Sequence, residues 1–236
     1  MKVAQRTKRK IRNQFLINLL KERGILNDDS SFLEAFFHPK KTNELPAENL
    51  DNIEKGYQLF KKHLEAGSKI YLPVDPDCDG FTSASLFYNY MKDHLQEKYD
   101  NEIIYRIPEG KEHGFDSIMN WFPEDGHNSL IVMPDGGSND VEEHKELYNR
   151  GYEILILDHH EVDHFSDCAV VINNQPSSKY SNKQLSGVGV VYKFFEYFEK
   201  NENIPNYSQN YLDLVALGMT GDMMEMNNLE NRYILT

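Results

Sequence analysis

Cysteine is scarce. Cys78 and Cys168 are the two thiols in 236 residues, too few for a disulfide framework or a four-thiolate zinc site, and such usage fits a reducing, cytoplasmic setting. Long apolar runs are missing too: nothing approaches the roughly 18 residues that a membrane helix needs. The N-terminal MKVAQRTKRKIRNQ has no apolar stretch behind its charges, so neither a membrane span nor a secretion signal is expected. Positive charge is in short supply. Lys plus Arg number 25 against 38 Asp plus Glu, a formal net charge of −13. That balance argues against a surface that attracts nucleic acid throughout, but leaves room for a local basic groove. Divalent cations held by some of the carboxylates would lower or reverse the charge locally. No internal repeat or low-complexity segment is present.

What remains is a chain long enough, with 39% hydrophobic residues, for one α/β domain behind a helical lead-in. Residues 1–12 carry a basic run, Lys2, Arg6, Lys8, Arg9, Lys10 and Arg12, which reads as a solvated tail or as a phosphate-contacting arm. Ile11, Phe15, Leu16, Leu19 and Leu20 have helical spacing with Gly24 as a stop, and Ser30 or Ser31 caps a short helix through Phe37 before Pro39. Ile53, Tyr57, Phe60 and Leu64, spaced four, three and four apart, predict an amphipathic helix over 50–66 that ends at Gly67.

From residue 69 the texture alternates. Strand-like runs at 69–74, 102–107, 129–133, 152–157 and 169–172, with helical patterns after the first, third and fourth or between them, predict a mostly parallel five-stranded sheet flanked by helices on both faces. The expected division is a helical extension over 1–67 and an α/β domain over 68–236. The polar stretch 174–185 reads as a long loop. Helices follow at about 187–200 and 207–217.

The chain is organised around KIYLPVDPDCDGFTSASLFYNY, Lys69 to Tyr90. A buried strand runs into Asp75, Asp77 and Asp79, then Gly80 and a helix. In an open parallel sheet the turn after a strand lies at the carboxyl edge, where ligands collect. Bare carboxylates about 4 Å apart repel by roughly 4 kcal/mol at an effective dielectric near 20, so a cation among them is expected. An EF-hand calcium loop begins with D-x-D-x-D-G, but its twelfth position needs a bidentate glutamate and here holds Leu86, and a strand precedes the loop instead of a helix.

Three further strand ends repeat the arrangement. Leu130 to Met133 leads to Asp135-Gly136-Gly137, Ile154 to Leu157 leads to Asp158-His159-His160-Glu161, and Leu217-Gly218-Met219-Thr220-Gly221 leads to Asp222. Singly, Asp135 or Asp222 reads as a turn or cap residue; together they converge. Carboxylate oxygens with one or two imidazoles suit Mn2+ or Mg2+, and two such ions activate water and stabilise the leaving oxygen of an in-line phosphoryl displacement. Adjacent histidines do not both reach one ion easily, so one ligates while its neighbour meets the substrate.

At these residues, VDPDCDG, MPDGG, LDHHE and TGDMM, the sequence resembles the four motifs of the DHH phosphoesterase superfamily. LLKERGI near the N-terminus, LSGVGVVYKFF at 185–195 and ENR at 230–232 are similar to its RecJ branch of single-strand-specific exonucleases. The resemblance implies that Asp77 and Asp79 each bind one metal and that Asp135 bridges them. His159 and Asp222 complete the shell of the ion at Asp79, Asp158 orients His159, His160 contacts the scissile phosphate, and Asp75 ligates directly or through water. Some branches carry a histidine four residues before the second acid; Pro73 stands there in this chain, so the ion at Asp77 is expected to be held more weakly. Members of the branch continue into a linker helix and a second domain with a glycine-rich substrate motif. This chain stops at Thr236, in what looks like the middle of an element, and is expected to be a catalytic domain alone.

The leading expectation is therefore a metal-dependent exonuclease acting on single-stranded DNA, with 5′ to 3′ polarity implied by the resemblance. Arg106, Lys111 and His113 in RIPEGKEHGF are candidate phosphate contacts, as are Ser186 and Gly187 through backbone N–H groups at a helix start. A phosphatase or pyrophosphatase for small substrates, or an oligonucleotide-degrading phosphodiesterase, is the alternative within the superfamily, and a catalytically inactive scaffold is the alternative outside it.

Overall fold

The computed structural model describes residues 14–26, 30–107 and 114–236. The basic run and the candidate contacts Lys111 and His113 lie outside them. Five strands, β1 Lys69–Pro73, β2 Ile103–Arg106, β3 Ser129–Pro134, β4 Glu153–Asp158 and β5 Val170–Asn173, form one sheet in the order β2-β1-β3-β4-β5. Every pairing is parallel. The α/β architecture expected from the alternating texture is the one observed, with strand ends shifted by a residue or so.

The strand sequences are nearly continuous apolar runs because both faces are covered. Ile70 and Leu72, Leu130 and Val132, Leu155 and Leu157, and Ile172 enter one core. That core is completed by helices α3 Ile53–Glu65, α4 Cys78–Tyr90 and α6 Gly187–Glu202. The intervening Tyr71, Ile131, Met133, Ile154 and Ile156 point the other way, into a second cluster with Phe115, Ile118, Phe122 and Leu147. This opposite face is closed by the 3-10 helix Asp116–Trp121 and by α5 Val141–Asn149, numbered as the fifth α-helix after α1 Gln14–Glu22 and α2 Ser30–Phe37. Period-two alternation of strand side chains produces the two faces. Helix α3 contributes Ile53, Tyr57, Phe60 and Leu64 to the first core, the residues whose spacing predicts it, and so shares its burial with the sheet.

From β1 the order runs to β2 on one side and β3 on the other, which opens a crevice at the carboxyl ends of β1 and β3. Two local departures from expectation concern connections. No helix follows β4: residues 159–169 form turns and bends. That segment, HHEVDHFSDCA, lacks an apolar periodicity, and Asn139 fastens it by accepting from the Asp163 N–H at 2.8 Å and donating to the Glu161 carbonyl at 2.8 Å. The helix expected over 207–217 is split into a 3-10 turn, Tyr207–Tyr211, and α7 Leu212–Gly221. The polar stretch 174–185 is the long loop expected there, and it is held as a clasp by Lys183 Nζ, which donates to the carbonyls of Asn174 and Ser177.

The last helix, α8 Leu229–Ile234, explains ENR. Glu230 accepts from Tyr180 Oη at 2.9 Å, Asn182 Nδ2 at 2.8 Å and the Leu45 N–H at 2.9 Å. Asn231 donates to the carbonyls of Gln184 and Glu225. Arg232 lies over the Phe36 ring, 3.9 Å from its centroid, and donates to the Phe36 carbonyl. These three residues tie the lead-in to the clasp.

Candidate metal centre

Asp75, Asp77 and Asp79 follow β1 because α4 starts there: Asp77 is its N-cap, accepting the Gly80 N–H at 2.8 Å. Asp79 sits in the first helical turn and is fully buried. Its two oxygens accept the Gly187 N–H at 2.5 Å and the Val188 N–H at 3.2 Å. The positive end of α6 thus supports a buried carboxylate. Close approach requires glycine at two places: a Cβ on Gly187 would lie 2.4 Å from Asp135 Oδ1, and one on Gly218 would lie 2.4 Å from Asp79 Oδ1.

Asp135 follows β3 with φ of 60°, the left-handed region that non-glycine residues avoid. Its N–H donates to the Leu157 carbonyl at 2.8 Å, and its side chain is 2% exposed. Burial pushes the carboxyl of Asp135 well above the usual carboxylate range, and burial raises Asp79 as well. Carboxyls so buried stay ionised only beside a positive partner.

His159 stands among them. Its Nε2 lies 3.2 Å from Asp135 Oδ1, 3.2 Å from Asp222 Oδ2 and 3.7 Å from Asp79 Oδ2. Burial opposes the imidazolium, but the surrounding carboxylates outweigh it and push its pKa up to about 10. Proximity to His159 in turn holds Asp222 below the usual range. Even so, Asp135 Oδ1 and His159 Nε2 are buried without a hydrogen-bond partner. Two atoms of ligand type that face each other at 3.2 Å without making a hydrogen bond fit the ligands of a shared cation better than a hydrogen-bonded pair.

Ligand atoms gather into three groups within 4.8 Å: Asp79, His159 and Asp222; Asp75, Asp77 and Asp135; and Asp135, Asp158, His159 and His160. Asp135 therefore stands between the other acids, at the position a bridging carboxylate would occupy. All six residues that the resemblance names as ligands are brought together.

Asp158 does something different from orienting the His159 ring. Its Oδ1 accepts from the His160 ring Nδ1 at 2.7 Å and from the His159 backbone N–H at 2.7 Å, while Oδ2 accepts the Ser138 N–H at 3.2 Å. Burial alone would raise this carboxyl, but His160 holds it down to about 2. The Asp158 hydrogen bond correspondingly raises His160, whose side chain is 58% exposed. The sheet end reserves a partner for the exposed histidine; the buried one is left to the acids.

Polar residues at and just beyond the end of β5 hold the same turn and are not singled out by any motif. Asn173 Nδ2 donates to the His160 carbonyl at 2.8 Å, and Gln175 Nε2 donates to the His159 carbonyl at 3.0 Å. Their one sequence signal is position, directly after an apolar strand. Among the candidate substrate contacts, Arg106 ends β2 in register with Pro73 and lines a small cleft with Asp75. Ser186 is buried with its Oγ unpartnered, and the Gly187 N–H is donated to Asp79.

Fold and cluster together define a class: a doubly wound α/β protein whose carboxyl edge carries a carboxylate–imidazole site able to hold divalent cations. The chain belongs to the DHH family, since the model of the DHH family, N-terminal domain, matches residues 69–219. It is 38% identical over 220 residues to YorK of Bacillus subtilis, a prophage-derived protein named as a single-strand DNA-specific exonuclease, covering 93% of this chain and 36% of YorK. It is 27% identical to the single-stranded-DNA-specific exonuclease RecJ of the same organism, covering 93% of this chain and 27% of RecJ. The chain thus spans about a third of the length of these relatives. In fold it is similar to a crystal structure of exonuclease RecJ bound to manganese, with a TM-score of 0.69 and 21% identity over 81% of this chain and 48% of that one. RecJ of Thermus thermophilus in complex with Mn2+ superposes with a TM-score of 0.65 at 20% identity, over 78% of this chain and 26% of that one.

Proposed function

We propose that this chain carries the catalytic domain, residues 68–236, of a metal-dependent phosphodiesterase that removes nucleotides from single-stranded DNA. The observation that carries this reading is the meeting of buried Asp79, Asp135 and His159 with the part-exposed Asp222, where Asp135 Oδ1 and His159 Nε2 make no hydrogen bond. The names of YorK and RecJ supply the substrate class, and the manganese-bound RecJ structures share the fold.

Asp79, His159 and Asp222 would hold one ion, Asp75 and Asp77 a second, with Asp135 shared. When bound, such ions supply Lewis-acid activation of water and neutralise charge on the phosphoryl group. Asp158 fixes the His160 ring through Nδ1 and favours its protonated form, leaving the exposed edge to donate a hydrogen bond to a phosphate oxygen. Asn173 and Gln175 keep the two histidine carbonyls in place. The helix start at Gly187 steadies Asp79.

The test is a length series of end-labelled single strands digested with Mn2+. Progressive shortening of long strands, lost in Asp135→Ala, is the expected outcome, and 5′ against 3′ labels read the polarity. Activity confined to dinucleotides or pyrophosphate would move the chain to the small-substrate branch. An absence of Mn2+-stimulated hydrolysis by a full-length version would make it a scaffold.

A further inference from the structure

Beside the metal centre, a groove of about 250 Å³ runs between α4 and the edge strand β2. Its walls include Phe81, Ser85, Tyr88, Asn89, Tyr105 and Ile107, and none of its lining residues is charged. In a chain of net charge −13 that neutrality is local and specific. Phe81 is 42% exposed, Tyr105 53% and Ile107 58%, an apolar expanse that a solvent-facing surface does not keep without use. The Tyr105 ring meets Tyr88 edge-on at 5.6 Å, and Lys92 Nζ stands 5.7 Å from the Tyr88 ring centroid. The groove adjoins the metal centre through Val74, which lines both the groove and the small cleft that holds Asp75 and Arg106.

We propose that this groove is a base-stacking subsite, which receives unpaired nucleobases of a strand whose phosphodiester lies at the acidic cluster. The proposal rests on the phosphodiesterase reading above and adds where the bases go. A polyanion meets the carboxylates through cations and the His160 edge, and on so acidic a chain a further grip on the strand is best supplied by groups indifferent to charge. Flat aromatic faces provide it without reading sequence, and Ser85 and Asn89 offer polar groups to base edges. Bases stacked inside a duplex cannot enter, so the groove would itself impose a single-strand preference.

The test compares a base-bearing strand with an abasic strand of equal length, by Mn2+-dependent cleavage and, separately, by fluorescence anisotropy. The wild-type chain should prefer the base-bearing strand by about tenfold or more, and Tyr105→Ala and Phe81→Ala should bring the ratio towards one. Equal wild-type handling of both strands, or a preference unchanged in Tyr105→Ala, overturns the subsite. Failure to cleave either strand counts against the phosphodiesterase reading alone, because the anisotropy ratio still decides the groove. Sedimentation provides a further check: a dimer dissociated by Tyr105→Ala would give the groove to a second copy of the chain and overturn the proposal.

Discussion

At the scale of single residues, Asp135 combines three costs: burial, a left-handed backbone and an unpartnered oxygen. Such costs collect where function demands them. Asp135→Asn keeps the shape and the tolerance for positive φ while removing the charge. In the absence of metal it should raise stability by about 1 kcal/mol or more, a gain of roughly 2–4 °C in Tm for a chain of this size. The same variant should lose the stabilisation that Mn2+ confers on the wild type; calorimetry with and without MnCl2 reads both effects.

His144 provides a second residue-scale prediction, away from the metal centre. It is fully buried against Phe115, and that burial pushes its pKa down to about 4. The folded value lies below the unfolded one, near 6.5, so folding favours the neutral ring. That contribution is fully present above about pH 6.5 and is lost as pH falls towards 4, up to about 3 kcal/mol. Urea midpoints at pH 7 and 4.5 should therefore converge in His144→Phe relative to the wild type; an equal acid loss in both proteins would contradict the assignment.

The acids at the ends of β1 and β3 and the histidines after β4 were legible in the sequence because each follows an apolar run that can only be a buried strand. Asp158 choosing His160 was not legible, nor was Gly187 donating to Asp79. Both depend on how chain segments separated by a turn or by a hundred residues approach in three dimensions, and spacing does not encode that.

At the scale of elements, α6 links the lead-in to the sheet through a buried ion network. Lys193 is fully buried, with Nζ 2.8 Å from Glu196, 3.1 Å from Glu230 and 3.3 Å from Glu44. Removing Lys193 leaves the buried Glu230 without its cation and Lys41 alone to face Glu44 and Glu196, so Lys193→Met should cost about 3–5 kcal/mol, measured by urea denaturation. A neutral result would show that water reaches the network. The amphipathic spacing of α3 and the strand runs were readable because burial writes a period into the sequence. The turn at 159–169 and the clasp at 174–185 were not, since their order comes from individual side-chain-to-backbone bonds such as those of Asn139 and Lys183.

At the scale of the whole molecule, strand order sets the crevice between β1 and β3, and every motif acid arrives at that edge. Among the described residues, no helix is long and apolar enough to cross a membrane. A cation that binds only the folded chain should stabilise it by about 2.7 kcal/mol at a hundredfold excess over Kd, an increase in Tm that chelation reverses. Asp158→Asn should weaken Mn2+ affinity or activity by about 10–100-fold through the loosened histidine turn, with the fold retained by circular dichroism.

Crystals soaked in MnCl2 and measured at the manganese absorption edge test the central claim most directly. Anomalous density is expected among Asp79, Asp135, His159 and Asp222, with a second, weaker peak at Asp75, Asp77 and Asp135. Peaks confined to other surface carboxylates, or none at this edge of the sheet, would contradict it.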